Sequence, residues 1–217
     1  MCCPVARRLF VFLLAAGLVG ALSCSAKREA PDEDDSDLGA VGAFTLKERG
    51  GQTVSADDLK GKVWVASFIF TRCSTGCPQV TGTMARLQKE LDLAGKTDLR
   101  LVTLTVDPER DNPAELKEYA KRYAADPEKW LFLTGDKDKI HEIIQKQFKV
   151  HVAEREGEER KPGNEFDHST RLVLVDKRGH VRGYFSGMPS EGEDEKAFEA
   201  GLAKLRKRVA KLLREDR

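Results

Sequence analysis

The chain has 217 residues, a length that fits one domain and leaves room for two at most. Its 37 Lys and Arg against 36 Asp and Glu give a net charge of +1, which excludes a nucleic-acid binder working through bulk positive charge. A charged fraction of 34% excludes a membrane bundle, while 40% hydrophobic residues suffice for a core and exclude wholesale disorder. Cysteines stand at Cys2, Cys3, Cys24, Cys73 and Cys77, an odd number that excludes a fully paired disulfide framework.

The N-terminus carries the marks of export. Arg7 and Arg8 precede an unbroken apolar run from Leu9 to Leu22. That run is shorter than the ~20 residues a spanning helix needs. Basic residues, a short apolar stretch and small residues at its end define a secretory signal over residues 1–23. The end, Gly20-Ala21-Leu22-Ser23-Cys24, resembles the lipobox of bacterial lipoproteins, with Ala21 where leucine is usual. Ala21 and Ser23 also suit ordinary signal cleavage, and both readings cut before Cys24; an uncleaved anchor is the alternative. Lipidation of Cys24 is expected. Cleavage takes away two arginines and no acid, turning +1 into −1, and leaves only Cys73 and Cys77 with free sulfur.

Residues 24–42 read as a lipidated N-terminus and a flexible acidic tether. Pro31, Gly39, Gly42, the run Asp32-Glu33-Asp34-Asp35 and Asp37 leave little apolar content to fold. Such a stretch spans at most ~60 Å, a spacer between a membrane surface and a domain at 43–217.

The elements of that domain follow in order. Phe44–Leu46 and Gln52–Val54 alternate around Gly50-Gly51 and predict a hairpin. Val63 to Phe70 is a continuous apolar run, as in a buried central strand. From Cys77 to Leu93 the apolar residues Val80, Met84, Leu87 and Leu91 keep helical spacing. Leu99–Val106 is the next strand, and Pro113–Ala125 a helix capped by Asn112. Trp130–Leu133 predicts a strand, and Asp136–Phe148 a helix with Ile140, Ile143 and Ile144 on one face. Ala153–Phe166 is polar and without period, hence a loop. Arg171–Val175 and Val181–Phe185 form a second hairpin. The last helix, about 194–213, carries the stripe Phe198, Leu202, Leu205, Val209 and Leu212. The alternating part demands parallel strands with crossover helices. With the closing hairpin and helix, this predicts an α/β, thioredoxin-like, three-layer fold with an N-terminal β-hairpin and an insertion loop before the last β-hairpin.

The chemistry concentrates in Thr71-Arg72-Cys73-Ser74-Thr75-Gly76-Cys77-Pro78, directly after the central strand. Ligands of α/β folds bind at such strand ends, and a helix N-terminus lowers a thiol pKa. Four residues of helix rise ~6 Å and return to the same face. The two sulfurs can close a disulfide after local adjustment, or clamp a metal ion from one side. A third ligand decides between these. His141 is expected on a helix surface, and His180 at a strand start, while His151 has no assigned role. His168, in Phe166-Asp167-His168-Ser169-Thr170, ends the insertion beside the dithiol, so it is either a ligand or a surface polar group. Thioredoxin-like oxidoreductases keep a cis-proline there, and no proline stands between Asn164 and Arg171.

Cys73-x-x-x-Cys77-Pro78, the segment Val106-Asp107-Pro108-Glu109-Arg110-Asp111-Asn112-Pro113, Trp130-Leu131-Phe132-Leu133-Thr134-Gly135 and Asp167-His168-Ser169 stand in this order. Together they resemble the SCO/SenC family of copper chaperones, over about residues 44 to 213. The resemblance implies copper, as Cu(I) or Cu(II), bound by Cys73, Cys77 and His168. It implies a partner too, the cytochrome c oxidase subunit carrying the CuA site, which receives copper or has its cysteines reduced. Soft thiolates suit Cu(I), imidazole accepts either state, and three ligands leave a position open for transfer. Asp107 and Asp167 are expected to orient His168 or Arg110; the alternative is a turn and helix cap at Asp107–Pro113. The family often has proline after the first cysteine and an acid next. Ser74, Thr75 and Gly76 stand here instead, which predicts a more flexible loop. The implied location is the periplasmic side of a bacterial membrane, on a lipid anchor. Whether the protein is an enzyme stays open: a thiol–disulfide oxidoreductase using Cys73 and Cys77 is the alternative function, and a peroxidase-like thiol enzyme is disfavoured by the paired cysteines.

Overall fold

The computed structural model describes residues 36–215. The expected signal, the lipidated Cys24 and the tether up to residue 35 lie outside the described residues.

The hairpin β1 (Thr45–Glu48) and β2 (Thr53–Ser55) pairs antiparallel with Leu46 opposite Val54. Its turn needs Gly51, whose φ of +90° strains any residue with a Cβ. The central strand β3 (Val63–Ile69) is buried at all seven positions, which is why its sequence shows no alternation. It pairs parallel with β4 (Leu99–Thr105), and β4 pairs parallel with β5 (Trp130–Thr134). On its other side β3 meets β8 (Arg171–Val175) antiparallel, and β9 (Val181–Ser186) completes the edge. The sheet order is β2-β1-β5-β4-β3-β8-β9.

Helix α1 (Gly76–Glu90) buries Cys77, Val80, Met84 and Leu87, one stripe at helical spacing. Helix α2 (Pro113–Arg122) is capped by Asn112, whose Oδ1 accepts from Ala114 N at 2.9 Å and Glu115 N at 3.1 Å. Helix α4 (Glu195–Arg214) is capped by Asp194 and buries the predicted stripe. Arg86 of α1 reaches Glu199 of α4 at 2.7 Å, and Tyr119 of α2 meets Thr81 of α1 at 2.8 Å, so these three helices form one layer. Helix α3 (Lys137–Glu142) belongs to the opposite layer, the third of the thioredoxin-like fold.

Three segments depart from expectation. The helix expected over residues 136–148 changes after Glu142 into a π turn, Ile143–Gln147, in which Phe148 N donates to Ile143 O at 3.1 Å. The wider turn sets Phe148 edge-on against Trp64 and Phe68 of β3, at centroid distances of 5.7 and 5.2 Å. The polar insertion is not a plain loop. It holds a separate two-stranded sheet of β6 (Val152–Glu154) and β7 (Phe166–His168), with Val152 opposite His168. Three-residue strands are too short to show a period. Finally, the end of the expected tether is docked. Leu38 N donates to Val181 O, Val181 N to Gly39 O and Val41 N to Gly179 O, at 2.8–2.9 Å at the start of β9 and the turn before it, and His180 Nδ1 donates to Asp37 at 2.6 Å. Leu38 and Val41 pack on the core, which compensates the ordering of that stretch.

Candidate metal centre

The cysteine loop leaves the buried end of β3 and enters α1. Asp111, 1% exposed, fixes its start: the carboxylate accepts from Thr71 N at 2.9 Å, Thr71 Oγ1 at 2.5 Å and Thr105 Oγ1 at 2.6 Å. Burial pushes the Asp111 pKa up, and the threonine bonds oppose it. Cys73 N then bonds Phe70 O, and Cys73 Sγ accepts the Cys77 N–H at 3.4 Å. The sulfur over the helix N-terminus is thus that of Cys73, not of Cys77. Cys77 is fully buried, and its carbonyl accepts from Thr81 Oγ1 at 2.8 Å.

The two thiols therefore part in acidity. The Cys77 thiol donates toward Cys73 and, against the opposing effect of burial, lowers its pKa to about 3; the backbone N–H groups of Cys77 and Thr75 help. Burial, then the neighbouring Cys73, pushes Cys77 far up. The helix N-terminus therefore acidifies Cys73, which precedes α1, and not Cys77 in its first turn.

His168, on β7, brings Nε2 to 3.3 Å from Cys77 Sγ. Its Nδ1–H donates to Ser169 O at 3.1 Å, which leaves the Nε2 lone pair facing the sulfurs. Its ring stands edge-on to Phe70 at 5.7 Å. The donor atoms of Cys73, Cys77 and His168 all lie within 4.8 Å of one another, a set of two soft sulfurs and one imidazole that suits one soft metal ion.

The expected supporting acids divide. Asp107, 2% exposed, pairs with Arg110 Nε at 2.6 Å, and Arg110 Nη1 reaches Glu165 at 2.8 Å, tying the insertion to the loop after β4. Asp167 does not orient His168: side chains alternate across a strand, so it faces away, toward His151 at 3.4 Å and Arg155 at 3.6 Å. His141, expected on a helix surface, is half-buried, and its Nε2–H donates to Val106 O at 2.8 Å. The loop Ser74–Gly76 is less free than its composition implies. Ser74 N bonds Gly163 O at 3.1 Å, and a Cβ at Gly76 would stand 3.2 Å from Met188 Sδ, so the thioether fills the space glycine leaves. Asp111, Glu165, Gly163 and Met188 escaped the sequence reading, because their partners lie far away along the chain; only Asp111 stood inside a motif that pointed to the site.

The SCO1/SenC family model matches residues 32–203. The chain belongs to the SCO1/SenC family. It is 38% identical to a SCO1 protein homolog of Bacillus subtilis, over 71% of this chain and 78% of that one. It resembles the crystal structure of a SCO1/SenC family lipoprotein from Bacillus anthracis with a TM-score of 0.67 and 32% identity, covering 81% of this chain and 98% of the other. The structure of BsSco, described as a Sco-family cytochrome c oxidase assembly protein with a disulfide switch, matches with a TM-score of 0.64 and 33% identity over 82% and 98%. Copper-bound yeast Sco1 matches with 0.60 and 28% over 78% and 87%.

Proposed function

We propose that this protein is a membrane-tethered copper-binding chaperone for assembly of the CuA centre of cytochrome c oxidase. It binds one copper ion through Cys73, Cys77 and His168. The carrying observation is the convergence of those three donors within 4.8 Å. Copper in a related Sco1 and oxidase assembly in the description of BsSco support the cargo and the client. The signal-like N-terminus and Cys24, with a lipoprotein among the relatives, support a lipid anchor on the periplasmic side of a bacterial membrane. Three donors satisfy Cu(I) and leave a face open to an acceptor's ligands, which transfer needs. Protein expressed in copper-rich medium is expected to carry one copper per chain, and Cys73→Ser to carry little; equal copper in both overturns the reading.

The second reading, a thiol–disulfide oxidoreductase, has its own observation. An acidic Cys73 thiolate beside a protonated Cys77 is the asymmetry dithiol exchange uses. It could act by reducing the CuA-site cysteines. Metal-free, reduced protein would then reduce a model disulfide stoichiometrically, with Cys73 as the attacking sulfur, and Cys73→Ser would abolish the exchange.

A further inference from the structure

The hairpin that carries His168 is not part of the main sheet. No ladder of backbone bonds sets its place over the cysteine loop, so loop and side-chain contacts must. One is the Arg110 bridge from Asp107 to Glu165, and another is Phe166, buried edge-on against Phe70 at 5.5 Å. A third touches the cysteine loop itself. Ser74, next to Cys73, donates its backbone N–H to Gly163 O at 3.1 Å and its hydroxyl to the same oxygen at 3.3 Å. Gly163 is buried in a turn closed by Asn164 N donating to Lys161 O at 2.9 Å. Its φ is +82°, and a Cβ there would stand 2.7 Å from Ser74 Oγ and 3.3 Å from the Arg72 carbonyl. Both the conformation and the close approach require glycine.

We propose that the Ser74–Gly163 contact is a latch that positions His168 against the cysteine pair before metal arrives. Gly163 stands five residues before His168. Between them Glu165 is held twice, by Arg110 and through its carbonyl by Arg155 N at 2.8 Å, so the segment has little slack. A fix at Gly163 thus reaches the imidazole. With the latch closed, the metal meets three assembled donors; with it open, binding must also order the hairpin. Ser74 and Gly163 are positioning residues and do not touch the metal.

This inference rests on the copper reading above, and one experiment separates the two. Cu(I) dissociation constants are measured by competition with a chromophoric chelator for wild type, Gly163→Ala, His168→Ala and the double variant. A Cβ at Gly163 strains its φ of +82° and drives the turn off Ser74. Loss of the latch is expected to weaken binding about tenfold in the wild-type background. It is expected to add nothing once His168 is gone, and Ser74→Ala, which keeps the N–H, retains most of the affinity. An equal loss in both backgrounds, or none in the wild type, overturns the latch and leaves the copper reading standing. A wild type that binds no copper overturns both. A glycine inserted between Gly163 and Asn164 changes no residue of the cysteine loop, gives the segment before His168 slack, and carries the same comparison if Gly163→Ala does not fold.

Discussion

Two cysteines four residues apart behave as different chemical groups because one sits at the loop surface and the other under it. Cys73 collects the donors of the helix start, while Cys77 is sealed between β3 and α1. At neutral pH the pair therefore holds one thiolate and one thiol. Binding Cu(I) to both sulfurs releases one proton, that of Cys77. The apparent affinity should then rise about tenfold per pH unit between pH 7 and 8.5, because higher pH removes the released proton. A hundredfold rise per unit would mean that both thiols start protonated. The same asymmetry predicts that iodoacetamide alkylates Cys73 at a nearly constant rate from pH 5 to 8, since its pKa of about 3 lies below the whole range, and spares Cys77. Peptide mapping of the labelled, metal-free protein checks this.

Elements were legible in proportion to how strongly their periodicity was forced. Seven buried positions in β3 and the stripe Phe198-Leu202-Leu205-Val209-Leu212 in α4 wrote themselves into the sequence as an apolar run and a helical repeat. The pair β6–β7 did not, since its residues alternate over three positions and then turn. The π turn did not either, since one extra residue per turn leaves the stripe of Ile140, Ile143 and Ile144 intact and moves only Phe148. At the site, the three donors could be picked out by residue type and position, and the contacts that hold them could not. Phe148 closes the face of β3, so Phe148→Ala should cost about 3–5 kcal/mol, visible as a lowered urea midpoint with the cysteines still able to bind metal. Asp111 acts on a different element. Asp111→Ala leaves Thr71 N and two hydroxyls without their acceptor, and should destabilise by about 1–3 kcal/mol and also loosen the cysteine loop. Faster hydrogen exchange at Thr71 N than in the wild type would show that loosening.

For the molecule as a whole, the docked segment 37–41 decides where the domain begins. The composition of residues 24–42 implies a tether throughout, yet its last part bonds the turn before β9 and the first residue of that strand, whose backbone groups would otherwise stand open there. Cut at residue 43, the domain should melt roughly 2–8 °C lower, the equivalent of about 1–2 kcal/mol, with unaltered copper affinity. An unchanged melting temperature would show that the segment contributes nothing to the fold. The metal centre lies instead where the end of β3, the start of α1 and the insertion converge, held by contacts between segments some 90 positions apart such as Cys77 and His168.

The most direct test of the central claim is copper K-edge X-ray absorption on the Cu(I)-loaded protein. The account predicts two sulfur ligands and one imidazole nitrogen per copper, with the nitrogen lost in His168→Ala and the sulfurs retained. A copper bound by sulfur alone in the wild type, or a spectrum unchanged by His168→Ala, would contradict it.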